Sequence, residues 1–161
     1  MKITIIGGSG FIGTALIRRL MTSKHEVTNI DKAQSRTVPE ITLLANVCSR
    51  EELTKAMVAS DVVVLLAAEH RDDVTPTRLY YDVNVEGTQN VLDVMDSLGI
   101  SNIVFTSTVA IYGLNKTNPN ESMPADPFNH YGKSKWQAEE VLRAWAQKDP
   151  EKKAFGSYVR P

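Results

Sequence analysis

The feature that most restricts this chain is a glycine-dense turn, Gly7-Gly8-Ser9-Gly10-Phe11-Ile12-Gly13. It stands directly after the apolar run Lys2-Ile3-Thr4-Ile5-Ile6 and before a stretch of helical periodicity. The turn satisfies both a Gly-x-Gly-x-x-Gly spacing from Gly8 and a Gly-x-x-Gly-x-x-Gly spacing from Gly7. Glycines there allow backbone angles closed to other residues and let the chain approach a pyrophosphate closely. They also let the following helix pack on the strand, so that its N-terminal amides face the anion. The plainer alternative is a tight strand-to-helix turn that holds nothing.

The rest of the chain supplies the context such a turn demands. Short runs rich in β-branched residues predict strands near Lys2 to Ile6, Glu26 to Ile30, Ile41 to Leu44, Asp61 to Leu66, Asn102 to Thr106 and Ala154 to Val159. Helices are predicted between them, near Phe11 to Thr22, Arg50 to Val58, Thr77 to Leu98 and Asn129 to Lys148, with Gly99 as a helix stop. The alternation predicts a doubly wound parallel α/β sheet in three layers, the Rossmann arrangement, formed by residues 1–161 as one domain. The segment Asn115 to Asn129, with Pro119, Pro124 and Pro127, reads as a loop, and loops of that length are more often functional than idle.

Asp31 closes the second predicted strand at about the spacing where a carboxylate bonds the adenosine ribose and repels a 2′-phosphate, which favours NAD over NADP. Nearby Lys32 and Arg36 are the alternative phosphate partners. Further along, Tyr131 and Lys135 stand four residues apart on one helix face. An ammonium about 4 Å from a phenol is worth about 4 kcal/mol at an effective dielectric near 20, or roughly three pKa units before desolvation, enough for a phenolate near pH 7. The bland reading is an exposed tyrosine lying over a lysine stem.

Several segments occur together in an order that resembles the extended short-chain dehydrogenase/reductases, and specifically the N-terminal part of an NAD-dependent epimerase/dehydratase. They are the glycine turn, Asp31, Leu66-Ala67-Ala68, Asn84-Val85-Glu86-Gly87-Thr88, the run from Phe105 through Thr108 to Tyr112-Gly113, and Tyr131 to Lys135. The resemblance implies that Thr108 assists Tyr131, with Ser107 as the alternative, and that Lys135 also bonds the nicotinamide ribose. It implies cofactor contacts from Gly7, Gly10, Phe11, Ile12 and Gly13. It implies others from Asn46 and Val47 at the adenine, from Leu66, Ala67 and Ala68, which leave room for the cofactor, and from Pro161 beside the nicotinamide. Asn84 is implied to stabilise the central helix. Ile6 stands where the family usually has Thr, and Asn46 where it has Asp; an amide keeps an acceptor oxygen for the adenine amino group.

The implied substrate is a nucleotide sugar, oxidised to a transient keto-sugar when Tyr131 takes a hydroxyl proton and hydride leaves for the nicotinamide. Family members continue into a substrate-binding domain that this sequence lacks, so the 161 residues alone are expected to turn nothing over. Two rival readings are an NAD(P)-binding regulator without turnover and a non-catalytic fragment.

A net charge of −1 with interspersed signs argues against nucleic acid, and no apolar run is long enough to span a bilayer. The single Cys48 forms no internal disulfide, which points to a reducing cytoplasm, and no His, Cys, Asp or Glu grouping has metal-ligand spacing. His70 and Glu69 follow the fourth strand, where a substrate contact is open to them; His25 and His130 read as surface residues. Tyr80, Tyr81, Trp136 and Trp145 read as packing residues. A homodimer is expected through the helices near Thr77 to Leu98 and Asn129 to Lys148. The first carries a second apolar row, Tyr81, Val85, Leu92 and Met95, in excess of what one sheet face needs.

Overall fold

A computed structural model describes residues 1–71, 73–114 and 116–159, with the side chains of 155–159 excepted. Six parallel strands form one sheet in the order β3-β2-β1-β4-β5-β6: β1 (Lys2–Ile6), β2 (Glu26–Asp31), β3 (Thr42–Leu44), β4 (Val62–Leu65), β5 (Asn102–Thr106) and β6 (Lys153–Val159). Alternate residues face opposite layers, as the pleat requires. Ile3, Ile5 and Val64 pack with Ile17 of α1 (Phe11–Thr22) on one face. Ile6, Val63, Leu65, Ile103 and Phe105 pack on the other. There they meet α2 (Arg50–Ala56), α4 (Gly87–Ser97) and α5 (His130–Gln147). This is the three-layer, doubly wound arrangement that the alternating pattern predicts.

Helix ends follow side-chain chemistry. Ser49 Oγ accepts the Glu52 amide at 3.3 Å to start α2, whose first turn carries Glu51 and Glu52 against the helix dipole. Asn129 Oδ1 accepts the Gly132 amide at 2.8 Å to start α5. The helix α2 stops short of the predicted Val58, because Met57 turns to extended backbone while its side chain is buried in the core.

The single helix predicted from Thr77 to Leu98 is instead three pieces: α3 (Arg78–Tyr81), a π-helical turn (Asp82–Glu86) and α4. The cause is tertiary. Asn84, buried within the π turn, donates from Nδ2 to the Glu69 carbonyl and to Ser134 Oγ, both at 2.9 Å, and accepts the Glu69 amide at 2.8 Å. The Thr88 hydroxyl bonds the Asn84 carbonyl at 2.7 Å. Asn84 thus ties the segment after β4 to α5, a wider task than stabilising one helix.

The second apolar row is corrected as well. Leu92 and Met95 of that row are fully buried in the chain's own core, while Tyr81 and Val85 are only partly buried. Among the described residues no helix is long and apolar enough to cross a membrane.

Candidate functional site

A cleft of about 760 Å³ opens at the carboxyl ends of the strands. That edge is where ligands bind in open parallel sheets. Its floor is the glycine turn. Gly7 has φ +86°, a left-handed backbone, and a Cβ there would lie 2.3 Å from the Ala67 amide nitrogen. Gly13 packs so closely that a Cβ would sit 2.4 Å from the Gly8 Cα. Gly10 differs: a Cβ would find its nearest neighbour 3.9 Å away, so no protein atom requires glycine there. It borders the cleft and precedes α1, whose first turn has neither a side-chain cap nor an acidic residue. The unsatisfied amides of that turn therefore face the space that Gly10 leaves open. Gly7, Gly10 and Gly13 line the cleft and Gly8 does not, which resolves the two spacings in favour of the one from Gly7.

These two glycines predict opposite outcomes. Gly13→Ala is expected to cost about 1–3 kcal/mol or more, because backbone must move. Gly10→Ala is expected to stay within about 1 kcal/mol in denaturant unfolding, since it changes only an N-cap.

Phe11 and Ile12 follow at the cleft wall, Phe11 being 93% exposed. Asp31 closes β2 and lines the cleft, its Oδ2 accepting the Ser9 amide at 2.9 Å and its Oδ1 the Ala33 amide at 3.1 Å. Asn46 and Val47 border the same end. The Asn46 oxygen accepts the Cys48 amide at 3.0 Å and keeps a second lone pair. Leu66, Ala67 and Ala68 form the middle, where the Leu66 and Ala67 amides both bond the Ile6 carbonyl. Pro161 lies outside the described residues. Lys32, the alternative phosphate partner, also lines the cleft, as do Ala33 and Cys48, of which the motif spacing gives no sign. Glu69 and His70 reach it too, whereas His130 Nδ1 is hydrogen-bonded at 2.9 Å to the Tyr81 hydroxyl.

Tyr131 and Lys135 line the opposite end. Their helix approaches the 3-10 turn Val109–Tyr112 closely, since a Cβ on Gly132 would stand 2.7 Å from the Ala110 carbonyl oxygen. That approach brings Thr108 beside Tyr131, where its hydroxyl lowers the pKa of the phenol. Ser107 lines the cleft, but its hydroxyl is buried without a hydrogen-bond partner.

Burial pushes the Tyr131 pKa up from its ordinary 10.0, and the Thr108 bond partly offsets this. Lys135 is 2% exposed, its Nζ 3.9 Å from the centre of the Phe105 ring, and burial pushes its pKa down to about 7, opposed by the carboxylate of Glu139. The protein's own groups therefore do not hold Tyr131 as a phenolate near pH 7, which corrects the expectation from the four-residue spacing. The burial that encloses the lysine beside the cleft also weakens the charge it was to supply.

Residues 3–155 match the NAD dependent epimerase/dehydratase family. The chain is 55% identical over 99% of its length to an N-acetyl-alpha-D-glucosaminyl-diphospho-ditrans,octacis-undecaprenol 4-epimerase of Escherichia coli O157:H7, covering 48% of that protein. It is 32% identical over 92% of its length to UDP-glucose 4-epimerase 2 of Oryza sativa subsp. japonica, covering 41%. Among solved structures, the UDP-Glc/GlcNAc 4-epimerase of Campylobacter jejuni superposes with a TM-score of 0.87 at 27% identity, matching 95% of this chain and 51% of that one. The chain spans about half the length of the relatives it matches. With the glycine turn, Asp31, Tyr131 and Lys135 in one cleft, the match over nearly its whole length means that this chain belongs to the NAD-dependent epimerase/dehydratase family.

Proposed function

We propose that this chain is the NAD-binding part of a 4-epimerase acting on N-acetylglucosamine carried on a diphosphate. The observation that carries the reading is that Tyr131 and buried Lys135 line the same cleft as the glycine turn and Asp31, with Thr108 beside the phenol. The open space at Gly10 fits a pyrophosphate, and Asp31 fits ribose hydroxyls. Asn46 and Val47 fit the adenine end, and Tyr131 and Lys135 the nicotinamide ribose.

Bound NAD supplies a hydride acceptor that returns what it takes. The rest would fall to the chain: Tyr131 in its phenolate form would take the proton of the sugar hydroxyl and become the neutral phenol, Thr108 would orient that oxygen, and Lys135, when protonated, would favour the phenolate. The diphosphate carrier is common to the relatives, a nucleotide in the UDP-glucose 4-epimerases and a polyprenol in the 55% identical protein, and the higher identity favours the polyprenol.

The test uses the whole protein, with N-acetylglucosaminyl diphosphoundecaprenol and UDP-N-acetylglucosamine in parallel and product sugars separated by chromatography. The galacto epimer is expected from the polyprenyl substrate. Conversion of the nucleotide sugar alone would move the assignment to nucleotide sugars, and conversion of neither would remove the reading. In calorimetric titration NAD is expected to bind more tightly than NADP, because Asp31 would face a 2′-phosphate; equal affinities would count against its role.

A further inference from the structure

We propose that Asn29, which does not line the cleft, is a positioning residue that holds the glycine turn in register with Asp31, and that this register sets the preference for NAD over its 2′-phosphorylated form. The inference rests on the NAD reading above. Asn29 lies inside β2, two residues before Asp31, and is fully buried. A buried amide at such a strand position is costly unless hydrogen-bonded.

Its Nδ2 donates to two hydroxyls, Ser9 Oγ at 3.1 Å and Thr42 Oγ1 at 2.9 Å. Ser9 Oγ donates onward to the Ala33 carbonyl at 3.0 Å, and Thr42 Oγ1 to the Val38 carbonyl at 2.7 Å. One side chain thus joins the glycine turn, β3 and both ends of the segment that follows Asp31. The other side of the amide is wedged beneath the turn: a Cβ on Gly8 would stand 2.3 Å from Asn29 Oδ1. Gly8 is therefore glycine to admit Asn29, while Gly10 leaves space for a ligand.

The consequence reaches the cleft through Asp31. Both groups that orient its carboxylate, the Ser9 amide at Oδ2 and the Ala33 amide at Oδ1, belong to segments that Asn29 ties together. Each carboxylate oxygen keeps a lone pair directed elsewhere, available to a ribose diol. With the tie removed, the carboxylate is free to turn, which weakens its bonds to the ribose and its repulsion of a 2′-phosphate.

Calorimetric titration of NAD and NADP into the whole protein, with thermal unfolding of each variant, tests this. Asn29→Val and Ser9→Ala are each expected to lower NAD affinity about tenfold, the upper worth of one neutral hydrogen bond, and to narrow the NAD to NADP ratio. The double variant is expected to lose no more than the worse single one, because both break the same link. Ser9 is only partly buried, so Ser9→Ala keeps the test open if Asn29→Val does not fold. A purely structural role for Asn29 would shift the unfolding temperature and leave the ratio alone, which would overturn the proposal. So would losses that multiply in the double variant. An unaltered protein that binds no NAD would overturn both this inference and the proposed function, whereas one that binds NAD with a variant-independent ratio would overturn only the inference.

Discussion

Tyr131→Phe in the whole protein is expected to lower turnover by about 10²- to 10⁴-fold, the usual worth of a positioned acid–base group, while NAD affinity changes less than about twofold. The substitution removes one oxygen. The backbone beside it is fixed independently of the hydroxyl by the close approach of Gly132 to the Val109–Tyr112 turn. Thr108 accepts the Ala110 amide at 3.2 Å, so its rotamer is held without the phenol. Thr108→Val is the companion variant: the phenol loses the bond that pulls its pKa down, and the pH profile of turnover is expected to shift to higher pH. Steady-state kinetics with parallel cofactor titration decides the matter. A Tyr131→Phe enzyme with most of its activity would take the phenol out of the chemistry.

The second large effect concerns stability. Lys135 holds its proton to about 10.5 in the unfolded chain but only to about 7 in the fold. Between those values the unfolded state binds the extra proton, so stability rises with pH across the interval and the penalty is complete below pH 7. The full difference corresponds to about 5 kcal/mol, an upper figure because relaxation and water entry soften such costs. Tyr131 and Cys48, both held up by burial, act in the opposite direction only above their ordinary values of 10.0 and 9.0, which leaves pH 7 to 9 as the clean window. Denaturant unfolding of the ligand-free protein is expected to show this rise. Lys135→Met is expected to flatten it and to be the more stable protein at pH 6, though less active. Glu139 retains its bridge to Arg143 at 2.8 Å in that variant. A flat parental profile would mean that the lysine is fully charged in the fold.

That contrast marks where sequence reading stops. The bounds of β1, α1 and β5 follow from periodicity and match the predicted ones, because local pattern and burial agree there. The π turn was invisible because its causes lie elsewhere in the chain, at Glu69 and Ser134. The four-residue spacing places Tyr131 and Lys135 on one face of α5, yet it carries no information about how dry that face is; Phe105, on a strand 30 residues away, decides it. The same holds for the glycine turn, where two spacings fit the letters and the placement of Gly8, over the Asn29 amide and away from the cleft, separates them.

The strand order has a bearing on how the protein is made. β1 is synthesised first and ends in the middle of the sheet, with β2 and β3 added to one side and β4, β5 and β6 to the other. Every strand leaving the ribosome thus meets an edge that already exists. The exception in time is the second edge of β1, from Ile3 to Ile6, which waits for Val62 to Leu65 of β4. At about 5–20 residues per second that edge stays open for roughly three to twelve seconds, an apolar strand with unpaired amides. A translational pause between the codons for β3 and β4 prolongs this exposure, while the same pause after β4 leaves only the growing outer edge uncovered.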